Sequence, residues 1–247
     1  MTSPHSPSGP VFTAPAKKQL GQHFLADRHY IDRIVMAVNP REGDRLVEIG
    51  PGQGAITLPL LRVHPKLTVI EFDRDLIAPL TAAAEPLGEL TIVHRDVLRV
   101  DFTELAAGQP IRLVGNLPYN ISSPILFHAL EHAAVIRDMH FMLQKEVVDR
   151  MAAGPGSKVY GRLSVMLQAY CQVTSLFVVP PGAFRPPPKV DSAVVRLVPR
   201  DPATININDH KRFAEVVKAA FGQRRKTLRN ALNNVVTAEQ FVAAGVR

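Results

Sequence analysis

The residues of this sequence best suited to chemistry stand together as Asn116, Leu117, Pro118 and Tyr119. The exocyclic amine of a nucleobase is a poor nucleophile, because its lone pair is delocalised into the ring. The side-chain carbonyl of Asn116 and the backbone carbonyl of Leu117 could accept its two N–H bonds and keep the nitrogen electron-rich. Pro118 fixes the turn, and Tyr119 could stack on a base turned out of its helix. The alternative is a proline-terminated strand with Tyr119 in the core.

Residues that could bind a nucleotide-like cofactor follow three other predicted strands. The first strand runs into a glycine turn at residues 50–54, where the backbone can approach a ligand closely. Glu71 ends the next strand and could bind both ribose hydroxyls, while Asp96 follows the third and could accept the N6 amine of adenine. The turn holds no Arg or Lys to meet a pyrophosphate. An acid-lined pocket of this kind suits S-adenosylmethionine, a sulfonium cation without phosphate.

These motifs leave two other functions open. Gly50, Gly52 and Ala55 also fit the dinucleotide fingerprint, with Glu71 at the distance expected for a ribose-binding acid. A nicotinamide-dependent oxidoreductase is therefore one alternative, although it leaves residues 116–119 unexplained. A non-catalytic RNA-binding assembly factor on the same fold is the other. The joint presence of Glu71, Asp96 and Asn116 argues against it.

Seven predicted strands must position these residues. Their spacing calls for crossover helices, and so for a mostly parallel sheet in an α/β domain, while the last two strands resemble an antiparallel hairpin at its edge. The predicted strands cover residues 45–49, 66–70, 90–94, 111–115, 135–143, 175–179 and 190–198. Predicted helices cover residues 123–131, after the capping candidate Ser122, and residues 144–153 and 162–169.

Composition changes along the chain predict its domains. Residues 1–16 hold four prolines and no Lys or Arg, which predicts a disordered tail and excludes a signal peptide. Around residues 199–208 the chain becomes polar and loses periodicity. We therefore expect a catalytic domain at residues 17–199 and a small helical domain at residues 200–247.

The basic charge is concentrated in the second predicted domain. The whole chain carries a formal net charge of +7, which favours an anionic partner. Between residues 208 and 230, seven basic side chains stand against two acidic ones. Arg224, Arg225, Lys226 and Arg229 are the predicted contacts to RNA phosphates.

The remaining composition indicates a reducing compartment. Cys171 is the one cysteine of the chain, so neither a disulfide nor a cysteine-based metal site is available. No apolar run approaches the roughly 18 residues of a membrane helix. We expect a cytoplasmic monomer that uses no metal.

With these motifs, the chain resembles the ribosomal RNA adenine N6-dimethyltransferase family, in particular its KsgA/RsmA branch, which acts on small-subunit RNA. The resemblance covers nearly all of residues 17–247. Four further segments carry it, at residues 20–25, 142–148, 184–193 and 221–230. It implies a seven-stranded, Rossmann-like class I methyltransferase with a small C-terminal helical domain. The family's C-terminal domain usually continues with another helix, so we expect this one to be shortened.

The resemblance also implies roles for individual residues. Phe184 would stack on the target base opposite Tyr119, and Asn116 would lie at the reacting methyl group. The implied cofactor contacts are His23, Leu25, Gly50, Glu71, Asp96 and Asn116, and the implied catalytic residues are Asn116, Leu117, Tyr119 and Phe184.

The implied substrate is 16S ribosomal RNA, within the small subunit or its precursor. Two adjacent adenosines in the loop of its 3′-terminal hairpin would become N6,N6-dimethyladenosine during subunit biogenesis. Related erythromycin-resistance enzymes methylate large-subunit RNA and tend to carry Asn-Ile-Pro-Tyr and Pro-Lys-Pro-Lys-Val-Asn. Leu117 and residues 186–191 differ from those patterns and favour the small-subunit branch.

Overall fold

A seven-stranded sheet organises the part of the chain that the computed structural model describes, residues 22–223 and 225–245. The predicted tail at residues 1–16 and Arg224 lie outside these ranges. The strands are β1 (Phe24–Leu25), β2 (Arg45–Ile49), β3 (Lys66–Glu71), β4 (Glu89–His94), β5 (Ile111–Asn116), β6 (Ile136–Gln144), β7 (Cys171–Val179), β8 (Phe184–Arg185) and β9 (Ser192–Pro199). The sheet order is β4-β3-β2-β5-β6-β9-β7, and β1 pairs with β8 in a separate two-stranded sheet.

The strand directions confirm the predicted parallel sheet with an antiparallel hairpin at one edge. Strands β2 to β6 are mutually parallel, whereas β9 runs antiparallel to both of its neighbours. The chain order reverses between β2 and β5, and a crevice opens at such a point beyond the carboxyl ends of the strands. Gly50, Glu71, Asp96 and Asn116 lie at those ends or directly after them.

The described residues form ten helices, the first seven of which cover both faces of the sheet. They are α1 (Arg28–Val38), α2 (Thr57–Val63), α3 (Arg74–Ala84), α4 (Phe102–Ala106), α5 (Ser122–Glu131), α6 (Lys145–Ala152), α7 (Arg162–Tyr170), α8 (His210–Gly222), α9 (Leu228–Leu232) and α10 (Ala238–Ala243). Because side chains alternate along a strand, Leu46 packs with α1 to α3, and Val47 packs with α4 to α7 on the other face. Two apolar layers therefore hold the sheet.

Two details of the local predictions were wrong. Ser122 is the first residue of α5 rather than its cap, and its hydroxyl donates to the carbonyl of Tyr119. Strand β7 begins at Cys171, before the predicted start at residue 175. Because β7 is the edge strand, its first half carries the exposed polar residues Gln172 and Thr174. The sequence there lacks the continuous apolar run by which the other strands are recognised. The Cys171 thiol itself is fully buried.

A buried ionic network lies at the amino end of the parallel strands. The guanidinium of Arg112 donates to both carboxylate oxygens of Asp138, from Nε at 2.8 Å and from Nη2 at 3.0 Å. It also donates to Asp44 at 2.6 Å and to the carbonyl of Val38, at the end of α1, at 2.6 Å. Arg112 thereby connects β5, β6, the start of β2 and the first helix.

The chain after β9 is helical where the structure describes it. Helix α8 packs against α7 through Phe213, whose ring meets that of Tyr170 edge-on at 6.1 Å. Division into two domains near residues 199–208 stays a prediction. Among the described residues, no helix is both long and apolar enough to cross a membrane.

Candidate active site

A cleft of about 300 Å³ opens beyond the carboxyl ends of β2, β3, β4 and β5. These strands, together with the β1 segment, bring most of the predicted site residues to one place, as expected for an open α/β sheet. The predicted site residues that line the cleft are His23, Leu25, Gly50, Glu71, Asp96, Asn116, Leu117 and Tyr119.

The glycine turn forms one wall of the cleft. Gly50 and Gly52 have φ angles of 67° and 55°, in the left-handed region that strongly favours glycine. A Cβ at Gly52 would lie only 3.1 Å from the ring of Phe24, which packs against the turn. Any other residue at position 52 would therefore be strained by the positive φ and would crowd the Phe24 ring.

Glu71 is held by the backbone on two sides. Its Oε1 accepts the N–H of Asp73 at 2.7 Å, and its Oε2 accepts the N–H of Gly52 at 3.3 Å. Burial raises the pKa of Glu71, although these N–H groups partly offset the effect. The carboxylate is thus fixed beside the glycine turn, with lone pairs left for ligand hydroxyls.

Asp96 follows the edge strand β4. Its Oδ1 accepts the N–H of Leu98 at 3.0 Å and caps a short 3₁₀ turn at Val97–Arg99. A cap is the ordinary role of such a residue. Asp96 nevertheless lines the cleft, so capping and ligand binding are compatible here.

Asn116, the last residue of β5, has a fixed amide orientation. Its Nδ2 donates to the backbone carbonyl of His23 at 2.9 Å. With the NH₂ group engaged, the carbonyl oxygen Oδ1 is the end of the amide available to accept from a ligand. The next residue, Leu117, is anchored by its own N–H to the carbonyl of Met142 at 3.1 Å.

Tyr119 lies between two partners from distant parts of the chain. Its hydroxyl shares a 2.6 Å hydrogen bond with Ser192 at the start of β9, and burial raises its pKa. Its ring lies 5.7 Å from that of His23, at an interplanar angle of 28°. The His23 ring is fixed in turn by a 3.0 Å hydrogen bond between Nδ1 and the carbonyl of Pro186.

Phe184 is the predicted catalytic residue that the structure does not bring into the cleft. It lies in β8, pairs with Leu25 of β1, and is fully buried in the core. The aromatic ring that faces Tyr119 in this conformation is that of His23. Stacking of Phe184 on a base would require the β1–β8 pair to move, and it stays a prediction.

The comparisons with known proteins agree with this geometry. The model of the ribosomal RNA adenine dimethylase family matches residues 14–246. The chain belongs to this family. It is 82% identical over 236 residues to ribosomal RNA small subunit methyltransferase A of Xanthomonas oryzae pv. oryzae strain PXO99A, covering 96% of this chain and 90% of that protein.

Two solved structures are similar over most of the fold. A dimethyladenosine transferase from Plasmodium falciparum has a TM-score of 0.75 at 30% identity, over 86% of this chain and 76% of that one. The 23S rRNA methyltransferase ErmE has a TM-score of 0.72 at 27% identity, over 90% of this chain and 88% of that one. The predicted family, fold and cofactor are confirmed. The chain is an S-adenosylmethionine-dependent ribosomal RNA adenine dimethyltransferase, and the oxidoreductase and the non-catalytic factor are excluded as alternatives.

The cleft fits S-adenosylmethionine chemically. Its walls present the carboxylates of Glu71 and Asp96, and no Arg or Lys stands among residues 50–54. Because Gly50 and Gly52 carry no Cβ, a ligand can approach the backbone of the turn closely at these two positions. A cationic nucleoside therefore matches both the charge and the shape of this wall.

Replacing Glu71 or Asp96 by alanine should weaken S-adenosylmethionine binding while RNA binding stays intact. Loss of a hydrogen bond to a charged group costs about 1.5–3 kcal/mol, which corresponds to a dissociation constant roughly 10- to 100-fold higher. Glu71→Ala should be the more severe, because it also frees the N–H of Gly52. Calorimetry measures the affinity, and unchanged values in both variants would contradict the assignment.

The predicted RNA contacts lie away from this cleft. Arg225, Lys226 and Arg229 are exposed, and the guanidinium of Arg229 lies 5.8 Å from the ring centre of Phe241. Arg224 lies outside the described residues. No contact to RNA follows from exposure alone, so these assignments stay predictions.

Sequence analysis missed several residues of the site. Ser192 gave no signal, because a serine at a strand end is ordinary and its partner Tyr119 is remote in the sequence. Phe72 lines the cleft and is 63% exposed, which is unusual for a phenylalanine and visible only in the structure. Glu48, buried within β2, lines the cleft as well.

Proposed function

We propose that this enzyme dimethylates N6 of two adjacent adenosines in the loop of the 3′-terminal hairpin of 16S ribosomal RNA. The small-subunit substrate is supported by the 82% identical relative, whose name specifies that subunit. The observation that carries the chemistry is the orientation of Asn116, whose NH₂ group is held by His23. This substrate would place the enzyme in small-subunit biogenesis, in the cytoplasm.

In the proposed mechanism, residues 116–119 hold the target adenine. Asn116 Oδ1 and the carbonyl of Leu117 accept from the N6 amine and raise its electron density, while Tyr119 stacks on the base. S-adenosylmethionine, when bound, supplies an electrophilic methyl group on sulfur. The cofactor would donate this methyl group to N6 and keep the electron pair of the broken carbon–sulfur bond, while Asn116 and Leu117 hold N6 in line. The methylated amine would then lose one proton to water. Because that proton leaves after attack, positioning and polarisation suffice without a strong base.

A second transfer to the same nitrogen follows from the same groups. After one methylation the nitrogen keeps one N–H, so one carbonyl can still orient it. Adenine methyltransferases that act on DNA commonly carry a second proline where Leu117 stands. We infer that leucine gives this loop room for the methyl group already present. A hairpin loop is favoured over a duplex, where unstacking the base costs a few kcal/mol.

Nucleoside mass spectrometry of unmethylated small subunits, treated with excess enzyme and cofactor, tests this function. We expect N6,N6-dimethyladenosine in the RNA fragment that holds the 3′-terminal hairpin, and none in large subunits treated in parallel. Monomethyladenosine as the sole end product would contradict the double transfer. N6,N6-dimethyladenosine found only in large-subunit RNA would show that the substrate is 23S rRNA, as the name of ErmE gives for that enzyme.

The basic residues after α8 supply a separate prediction. Replacing Arg224 and Arg225 by alanine should weaken binding to the small subunit and lower the slope of log affinity against log salt by up to about one for each phosphate that is no longer bound. Affinity for S-adenosylmethionine should not change, which serves as the control. An unchanged salt slope would mean that these arginines have a structural role.

A further inference from the structure

Glu48 is a buried carboxylate in the wall of the cleft. It stands in β2 beside the glycine turn, lines the cleft and is only 1% exposed. Its Oε2 accepts the hydroxyl of Thr57 at 2.6 Å. Its Oε1 has no hydrogen-bond partner among the described residues, so this oxygen is available to a ligand.

The surroundings of Glu48 disfavour a negative charge. The residues paired with it in the neighbouring strands are Val69 and Val114, both buried and apolar. The charged group that acts on it within the described chain is Glu71, which has the same sign. Burial, only partly offset by the Thr57 hydroxyl, raises the pKa of Glu48 to about 8. At neutral pH the empty cleft therefore holds Glu48 largely protonated.

A cation changes this balance, because an ionised carboxylate is tolerated in a protein interior only when it is paired. S-adenosylmethionine carries two positive groups, the sulfonium and the α-ammonium. We infer that Glu48 gives up its proton when the cofactor enters, so that binding releases one proton to solvent. This inference rests on the cofactor assignment. The exchange of a proton for a cation would leave the net charge of the cleft nearly constant.

The direction of the pH dependence follows from linkage. A ligand that binds the deprotonated form binds more tightly as the pH rises toward the pKa of the empty site. Affinity should therefore rise by up to about tenfold between pH 6 and pH 7, and this range avoids titration of the ligand's own α-amino group. Other titratable or charged groups that line the cleft are His23, Glu71, Arg95, Asp96 and Tyr119. Because the His23 imidazole lines the same cleft, a variant at that position must separate its contribution from that of Glu48.

Calorimetry of cofactor binding at pH 7, in buffers of different ionisation enthalpy, counts the protons released. The wild type should release about one proton per S-adenosylmethionine bound. Glu48→Gln keeps the shape and the Thr57 contact, and should release none and lose the pH dependence between pH 6 and pH 7. Glu85→Gln, an equal change at an exposed position, is the matched control and should behave as the wild type.

Two further comparisons test the inference without Glu48→Gln, in case that variant fails to fold. Thr57→Val removes the hydrogen bond that favours the ionised form, so the pH profile should move to higher pH, whereas Thr57→Ser should leave it in place. S-adenosylhomocysteine keeps the α-ammonium and lacks the sulfonium. Equal proton release with both ligands identifies the ammonium as the group sensed, and release with S-adenosylmethionine alone identifies the sulfonium.

Two outcomes would overturn the inference: binding by the wild type without proton release, or release that persists in Glu48→Gln. In the second case, loss of release in His23→Asn or in Glu71→Gln would identify the group that supplies the proton. Both outcomes leave the proposed function standing, because the cofactor still binds. Failure of the wild type to bind S-adenosylmethionine at either pH would instead contradict the cofactor assignment itself.

Discussion

Replacing Asn116 by alanine should lower the turnover number by roughly 100- to 1000-fold, while the affinity for S-adenosylmethionine changes little. The expected loss corresponds to the about 2.7–4 kcal/mol measured in other enzymes when one preorganised hydrogen-bonding group is removed from the transition state. In this chain the group is Asn116 Oδ1, whose direction is set by the 2.9 Å bond from Nδ2 to the carbonyl of His23.

The measurement is single-turnover transfer of labelled methyl to unmethylated small subunits, with cofactor affinity determined by calorimetry. Asn206→Ala, an exposed asparagine after the last strand, is the matched control and should keep full activity. Near-normal turnover in Asn116→Ala would remove Asn116 from the proposed mechanism. A large loss of cofactor affinity would mean that the amide acts mainly by holding the segment around His23.

Replacing Arg112 by leucine should lower the free energy of unfolding by about 3–5 kcal/mol, the usual result of removing one partner from a buried ion pair. The substitution leaves the carboxylates of Asp44 and Asp138 buried without their guanidinium. It also frees the carbonyl of Val38 at the end of α1. Denaturation by urea, followed by circular dichroism, measures the loss.

Arg137→Met is the matched control, because Arg137 donates to the same Asp44 at 2.8 Å from a side chain that is 62% exposed. An exposed pair of this kind contributes about 1 kcal/mol or less. If Arg112→Leu and Arg137→Met lowered the free energy of unfolding equally, the buried network would contribute no more than an exposed ion pair, which would contradict this prediction.

The loss of unfolding free energy in Arg112→Leu should also depend on pH. Burial by itself would raise the pKa of Asp44, but the N–H of Arg41 and the guanidinium of Arg112 hold this pKa below its ordinary value of 3.8. Stability from a carboxyl with a lowered pKa is present above the unfolded value and is lost as the pH falls through the folded value. The difference in the free energy of unfolding between the wild type and Arg112→Leu should therefore become smaller below pH 3.8.

The parallel sheet and the cofactor wall could be predicted because their signals are local. Glu71 and Asp96 each follow a short β-branched run, and the ends of parallel strands meet at one edge of the sheet. The glycine turn needs no partner elsewhere in the chain to be recognised. All three features are brought to the cleft as expected.

The rest of the site depends on pairings that no local pattern contains. The hydrogen bond between Tyr119 and Ser192 joins residues 73 positions apart, and that between Asn116 and His23 joins residues 93 positions apart. The first bond requires the final hairpin to place β9 beside β6. The second requires the β1–β8 pair to lie near the cleft. The family resemblance implies a place at the substrate for Phe184, yet the β1–β8 pairing buries it in the core.

The buried Cys171 makes the protein a convenient object for site-specific spectroscopy. It is the sole cysteine of the chain, it has no exposed surface, and burial raises its pKa to about 12, so almost no reactive thiolate exists at neutral pH. Maleimide dyes should therefore leave the native protein unlabelled. Cysteines introduced at Met36 and Val242, which are 76% and 73% exposed, would react alone. Fluorescence energy transfer between them could then follow the separation of α1 and α10 as the enzyme engages a ribosomal subunit.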